Sequence, residues 1–298
     1  MACGVITIVC AKGTMMKMTL ALAVAGMLLV TATAMTVPAF AASKTNRVKV
    51  SLVLPKNPAH QRAYKELKER RVAERLQEFL SPFQLPRTLK ISVAGCDGEA
   101  DATYGDDAIT ICYEYVEKLF KNMPAKTTPA GVAPFDTVVG PFFDTALHEF
   151  SHALFDMLEV PILGREEDAA DQVGAYIYLQ LGKKAEARRL IMGTAYTYLV
   201  TAPKSDDAAL TRKEFEEDFA EAHSTPTQRG YNLLCMAYGA DQKLFGDFVN
   251  KKYLPKERAE VCPEEYEQVQ DAFEDLIHPH IDLALLKKIL RKSWVRKK

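Results

Sequence analysis

Thr145-Ala146-Leu147-His148-Glu149-Phe150-Ser151-His152-Ala153-Leu154-Phe155 is an apolar helical stretch interrupted by two histidines and one glutamate. Four residues make just over one turn of α-helix, so His148 and His152 project from one face and can share a tetrahedral zinc ion. Glu149 is offset along the helix, where its carboxylate reaches a water on the metal rather than the metal itself. The H-E-x-x-H spacing therefore predicts His148 and His152 as zinc ligands and Glu149 as the general base of a hydrolase.

Further along comes Pro161-Ile162-Leu163-Gly164-Arg165-Glu166-Glu167-Asp168-Ala169-Ala170-Asp171. Pro161 and Gly164 stop the first helix and let the chain reverse, and the acidic cluster opens a second helix that can lie against it. A catalytic zinc needs a third protein ligand and a fourth position open to water. Glu167 and Asp171 are four apart and share a face. Glu167 is the candidate third ligand, and Asp171 the acceptor for the outer ring N–H of a ligand histidine, which fixes its tautomer. The plainer alternative is that Glu166, Glu167 and Asp168 only complement the positive end of the helix.

His223-Ser224-Thr225-Pro226-Thr227-Gln228-Arg229 reads as a turn entering a helix, with Ser224 or Thr225 as cap and Pro226 at the first helical position. Two readings stand side by side. Either His223 or Arg229 lines the cleft and stabilises the oxyanion of a tetrahedral intermediate, or Arg229 braces the acidic helix by a salt bridge and His223 is a cap-region residue. His60 reads as a surface residue and His278-Pro279-His280 as a helix break, and none of the three histidines has companion ligands nearby in sequence.

Outward from this centre, residues 48–54 alternate with period two and end at Pro55, predicting a strand. Helical spacing over 59–79 predicts one helix. Residues 88–93 and 108–112 read as strands, with Gly95-Cys96-Asp97-Gly98 a turn between them. A helix over 113–123 leads to a Pro/Thr-rich loop at 124–134, placed to act as a lid or as a plain connector. Helices are then expected over 138–158, 166–181, 184–201, 211–222, 226–238, 241–252, 259–276 and 282–291. Strands first and helices later predict an α+β fold, a small N-terminal sheet packed on a predominantly helical, zincin-like body. No repeat or long linker divides it, so 42–298 reads as a single domain, with a basic, solvated tail at about 287–298.

The 298 residues carry a formal charge of −1 and no basic stripe interleaved with aromatics, which excludes a nucleic-acid-binding reading. Lys12 and Lys17, an apolar run over 18–37 and the closing Ala39-Phe40-Ala41 predict a cleaved signal peptide at 1–41, with Met16 or Met18 a more ordinary start. An uncleaved membrane anchor is the alternative, because the run is almost long enough to span a bilayer. Cleavage leaves a formal charge of −3 and four cysteines, with no stable membrane span. An even count in an oxidising compartment predicts two disulfides, and local pairing as Cys96–Cys112 and Cys235–Cys262 fits the flanking pattern best. A four-thiolate zinc site is excluded by the absence of paired C-x2-4-C spacings.

Glu167-Asp168-Ala169-Ala170-Asp171 resembles the E-x-x-A-D signature that follows H-E-x-x-H in gluzincins similar to the CAAX prenyl proteases and the bacterial heat-shock membrane proteases. That resemblance implies Glu167, not Glu166, as the third ligand. Their additional transmembrane spans are missing here, so membrane-embedded proteolysis is not implied. The chain more closely resembles a bacterial family of unknown function described as a metallopeptidase. The likeness runs from about residue 56 to 278, through Ile109-Thr110-Ile111-Cys112-Tyr113-Glu114, the two motifs above, His223-Ser224 and Gln228-Arg229-Gly230-Tyr231-Asn232-Leu233-Leu234-Cys235. The expectation is an exported, periplasmic or secreted, zinc metallopeptidase with one Zn2+ per chain and a peptide or protein substrate. The alternative is a zinc-binding envelope protein without peptidase activity. A cell-wall amide is the alternative substrate, and no oligomeric state is predicted.

Overall fold

Alternation of apolar and polar residues builds the sheet. Strands β1 (Val48–Leu52), β2 (Leu89–Ala94), β3 (Ala102–Gly105) and β4 (Ala108–Cys112) lie in the order β1-β2-β4-β3. β1 runs parallel to β2 and β2 to β4, with Val48 beside Leu89 and Ile91 beside Ile109, while β3 is antiparallel to β4. In that register Val48, Leu89, Ile91, Val93, Ile109 and Ile111 share one face, and all are buried. The computed structural model describes residues 47–181, 183–201 and 220–291. The expected signal peptide, most of the helix expected over 211–222 and residues 292–298 of the basic tail lie outside the described residues.

β3 is an addition to the sequence-based expectation. Its connection to β4 is Asp106-Asp107, with φ of 51° and 58°. Two consecutive left-handed residues make the tight hairpin turn that Asn-Gly or Asp-Gly usually announces, and Asp-Asp conceals it.

The single helix expected over 59–79 is also corrected. A 3-10 turn, Pro58–His60, leads into α1 (Gln61–Glu69), and α2 (Val72–Leu80) follows after Arg71 at φ 55°. Ala63 and Leu67 are buried four apart, but the next buried residue is Val72, five further on. An unbroken helix would have turned Arg71 toward the core, and the left-handed residue resets the phase.

The helical body comprises α3 (Tyr113–Asn122), α4 (Asp136–Met157), α5 (Glu166–Leu181), α6 (Lys184–Thr201), α7 (Pro226–Ala240), α8 (Gln242–Phe245), α9 (Asp247–Asn250), α10 (Lys256–Leu276) and α11 (Leu283–Ile289). The helix expected over 241–252 is divided at Gly246 into α8 and α9. Loop 124–134 closes on itself, the Gly131 N–H donating to Thr128 O and the Val132 N–H to Thr128 Oγ1.

α4 is apolar nearly all round, which marks a helix surrounded by protein. It packs against α3, α5, α6, β3 and β4. Its crossing with α6 brings backbone against backbone: a Cβ on Gly193 would lie 2.0 Å from Asp136 O, and one on Gly140 would lie 2.5 Å from Leu190 O. Pro141 inside α4 has no N–H for the Thr137 carbonyl, and Thr197 Oγ1 of α6 donates to it instead at 3.3 Å. Disulfides join Cys96 to Cys112 and Cys235 to Cys262, the second tying α7 to α10. Among the described residues no helix is long and apolar enough to cross a membrane.

Candidate metal centre

α4 presents His148 and His152 one turn apart. Glu159 and Gly164, at φ 53° and 100°, reverse the chain after α4 and return α5 along it. This brings Glu167 against both histidines. The three separations are 3.2 Å between His148 Nε2 and His152 Nε2, 3.0 Å from His148 Nε2 to Glu167 Oε2, and 3.3 Å from His152 Nε2 to Glu167 Oε2. Ligand distances of about 2.0–2.1 Å on a tetrahedral zinc give edges of roughly 3.3–3.4 Å, close to this triangle.

The opposite ring nitrogens are spoken for. His148 Nδ1 is 2.8 Å from Asp171 Oδ1, and His152 Nδ1 is 2.8 Å from Glu166 Oε1. With protons on both Nδ1 atoms, the two Nε2 lone pairs converge on Glu167 Oε2. That oxygen is buried and accepts no well-formed hydrogen bond among the described residues. Three electron-rich atoms facing one another repel unless a cation lies between them, so the donor set fits a metal cation.

His223 approaches the same oxygen, its Nε2 2.8 Å from Glu167 Oε2, and almost half of its side chain is exposed. His148, Glu167 and His223 form a second, overlapping trio with ligand atoms within 4.8 Å of one another. The trio containing His152 has the tighter match to a tetrahedron edge, and His223 enters from the solvent side. The segment around His223 is clipped to the start of α5: Arg165 Nη2 donates to the Glu221 and Ala222 carbonyls, and Ser224 Oγ donates to Asp168 Oδ1 at 2.6 Å.

Arg229 sits on Asp171. Its Nε donates to Oδ2 at 2.8 Å and its Nη2 to Oδ1 at 2.6 Å. Burial alone would raise the Asp171 pKa, but the His148 hydrogen bond and the Arg229 charge outweigh it and hold the carboxyl down at about 2. Burial pulls the His148 imidazole down, and Asp171 more than reverses this to raise it. Burial raises the Glu149 carboxyl, with His148 and His152 opposing and Glu167 and Asp101 reinforcing the rise. His223 is lowered, mainly by burial.

Of these groups, His148, Glu149, His152, Glu166, Glu167, His223 and Arg229 line one cleft of about 580 Å³. Ala100, Asp101 and the β3 residues Ala102, Thr103 and Tyr104 supply part of its wall, α3 supplies Tyr115 and Lys118, and His148, Glu149 and His152 come from α4. None of residues 124–134 lines it. His60 is not at the surface as expected but buried, because its Nε2 lies 3.3 Å from Glu114 Oε1, a polar partner inside the fold. His278 and His280 belong to a 3-10 turn after α10. Sequence reasoning did not single out Asp144 and Tyr198, whose hydroxyl donates to Asp144 Oδ2 at 2.8 Å beside the Arg229 pair. An acid one turn before His148 on an apolar helix was the available signal. Nor did it assign Glu166 to the outer nitrogen of His152, a role invisible without the packing of α5 on α4.

The α+β scaffold thus packs its buried H-E-x-x-H helix against a returning acidic helix. The chain belongs to the family described as "Putative metallopeptidase", whose model matches residues 53–277. No protein of curated function and no solved structure matches it.

Proposed function

We propose that this chain is an exported zinc-dependent metallopeptidase in which His148, His152 and Glu167 hold the metal and Glu149 is the general base. The observation that carries the reading is the Nε2–Nε2–Oε2 triangle, with both outer ring nitrogens tied to carboxylates. When bound, zinc supplies a Lewis acid that lowers the pKa of water and polarises a carbonyl. Asp171 and Glu166 orient the two imidazoles. Glu149, its pKa raised by burial, takes the proton of the attacking water and returns it to the leaving amine. Among the described residues edge strand β3 has a strand partner on one side only, and it borders the cleft, which suits an extended peptide lying beside it. The two disulfides and the signal-like segment at 1–41 support export to an oxidising compartment.

Metal analysis with peptide hydrolysis tests this. One zinc per chain is expected in wild type and in Glu149→Gln, and none in His148→Ala, with turnover in Glu149→Gln lowered at least about 100-fold. Folded wild-type protein that takes up no stoichiometric zinc would sink the reading.

A second reading rests on His223. Its contact with Glu167 offers a fourth protein ligand, and a site filled by four protein ligands binds zinc without offering a place for water. Zinc binding weakened by His223→Ala, in a wild-type chain that cleaves no peptide, would favour that binding protein over the enzyme.

A further inference from the structure

Resting on the metal-site reading above, we propose that Arg229 is a positioning residue that acts on the metal through Asp171 and His148. Asp171 Oδ1 is shared between His148 Nδ1 and Arg229 Nη2, while Oδ2 takes the Arg229 Nε–H. Both oxygens lie on one planar guanidinium fork, so the carboxylate cannot rotate without breaking two charge-assisted hydrogen bonds. This keeps Oδ1 where it accepts the His148 Nδ1–H, and so keeps the Nε2 lone pair directed at Glu167.

Arg229 is itself held from the other side. Its guanidinium carbon lies 5.0 Å from the centre of the Tyr198 ring, and the Tyr198 hydroxyl donates to Asp144 on α4, one turn before His148. The contacts run from His148 on α4 to Asp171 on α5, Arg229 on α7, Tyr198 on α6 and back to Asp144 on α4. They form a closed circuit of five side chains through four of the helices that border the site. A salt bridge that merely braced α5 against α7 would need neither the shared Oδ1 nor the return through Tyr198. An oxyanion donor would need its N–H groups free, whereas the Nε–H and an Nη2–H of Arg229 are committed to Asp171.

Zinc affinity, measured by competition with a chelator on the whole chain, separates these roles. Arg229→Met is expected to weaken zinc binding about 10- to 100-fold, as loss of outer-shell support does, with Arg229→Lys recovering part of it. Added to Asp171→Asn, Arg229→Met should weaken zinc binding by less than about two-fold more, because both act along one path. Arg188→Met, which breaks the Arg188 pair with Asp247 elsewhere in the fold, should leave zinc affinity unchanged. If Arg229→Met does not fold, Arg229→Lys and Arg229→Gln carry the same comparison. Arg229 variants that bind zinc like wild type while Asp171→Asn does not, or losses that multiply in the double variant, overturn the proposal. A wild-type chain that binds no zinc instead removes the metal-site reading on which it rests.

Discussion

Asp144 shares the surroundings of Arg229 with Asp171, and one guanidinium cannot fully satisfy two neighbouring carboxylates. Burial, reinforced by the Asp171 charge, pushes the Asp144 carboxyl up to about 6 against the pull of Arg229 and of the Tyr198 hydroxyl. A carboxyl whose folded pKa lies above its unfolded value of 3.8 binds more protons in the folded state between those values, so its ionisation costs stability as pH rises. Asp144→Asn keeps an acceptor for Tyr198 and removes that cost. Urea titrations should show the variant more stable than wild type at pH 8, by about 2 kcal/mol or less given the partial solvent contact of the group, with the difference gone near pH 4. No difference between the two pH values would mean Asp144 ionises freely. Asp171 works with the opposite sign: its low pKa contributes stability above pH 4 that is lost as pH falls toward 2. At this scale the legible part of the site was what helix geometry dictates from spacing. His148 and His152, and Glu167 and Asp171, are each four apart, and a shared face follows from the period alone. Partners that meet across helices, such as Tyr198 with Asp144 or Glu166 with His152, have no spacing to betray them.

The crossing of α4 and α6 ties the H-E-x-x-H helix to the rest of the body. A methyl group at Gly193 would meet the Asp136 carbonyl at 2.0 Å, so Gly193→Ala must drive the two helices apart. The expected cost is at least about 2 kcal/mol, as for overpacked cores, read from a denaturant midpoint. Gly105→Ala in β3 is the comparison, since a Cβ there meets nothing within 4 Å; it should be close to neutral. Equal effects at the two positions would mean the crossing can relax. Helices α4, α5 and α6 were readable because long periodic or acidic-capped segments announce themselves. β3 was not, because four residues closed by Asp106-Asp107 carry little pattern. The break at Arg71 was hidden for a different reason: residues 59–79 look periodic throughout, and only the change of phase between Leu67 and Val72 records that two helices share the stretch.

Across the whole molecule, one disulfide fastens the turn after β2 to the end of β4, and the other fastens α7 to α10. Their cysteines lie 16 and 27 positions apart in the chain. Replacing Cys235 and Cys262 together by Ser should cost about 3 kcal/mol in an equilibrium unfolding measurement under oxidising conditions. An unchanged unfolding curve would show that α7 is held by packing alone. The α+β class could be argued from the order of strands and helices, and the pairing of cysteines from their nearness in the chain. The crowded backbone crossing of α4 with α6 was not readable, because a glycine in a helical segment reads as a weak helix former until the neighbour that requires it is in place.

That crossing separates two kinds of constraint on how the sequence can drift. Gly140 and Gly193 answer to the backbone of the opposite helix, whatever the protein does, whereas His148, Glu149 and His152 answer to the chemistry proposed for them. A descendant that lost the proposed metal site would be free to exchange the histidines for other buried side chains while both glycines stayed fixed. In any lineage of such chains, the helix crossing should therefore outlive the site it holds.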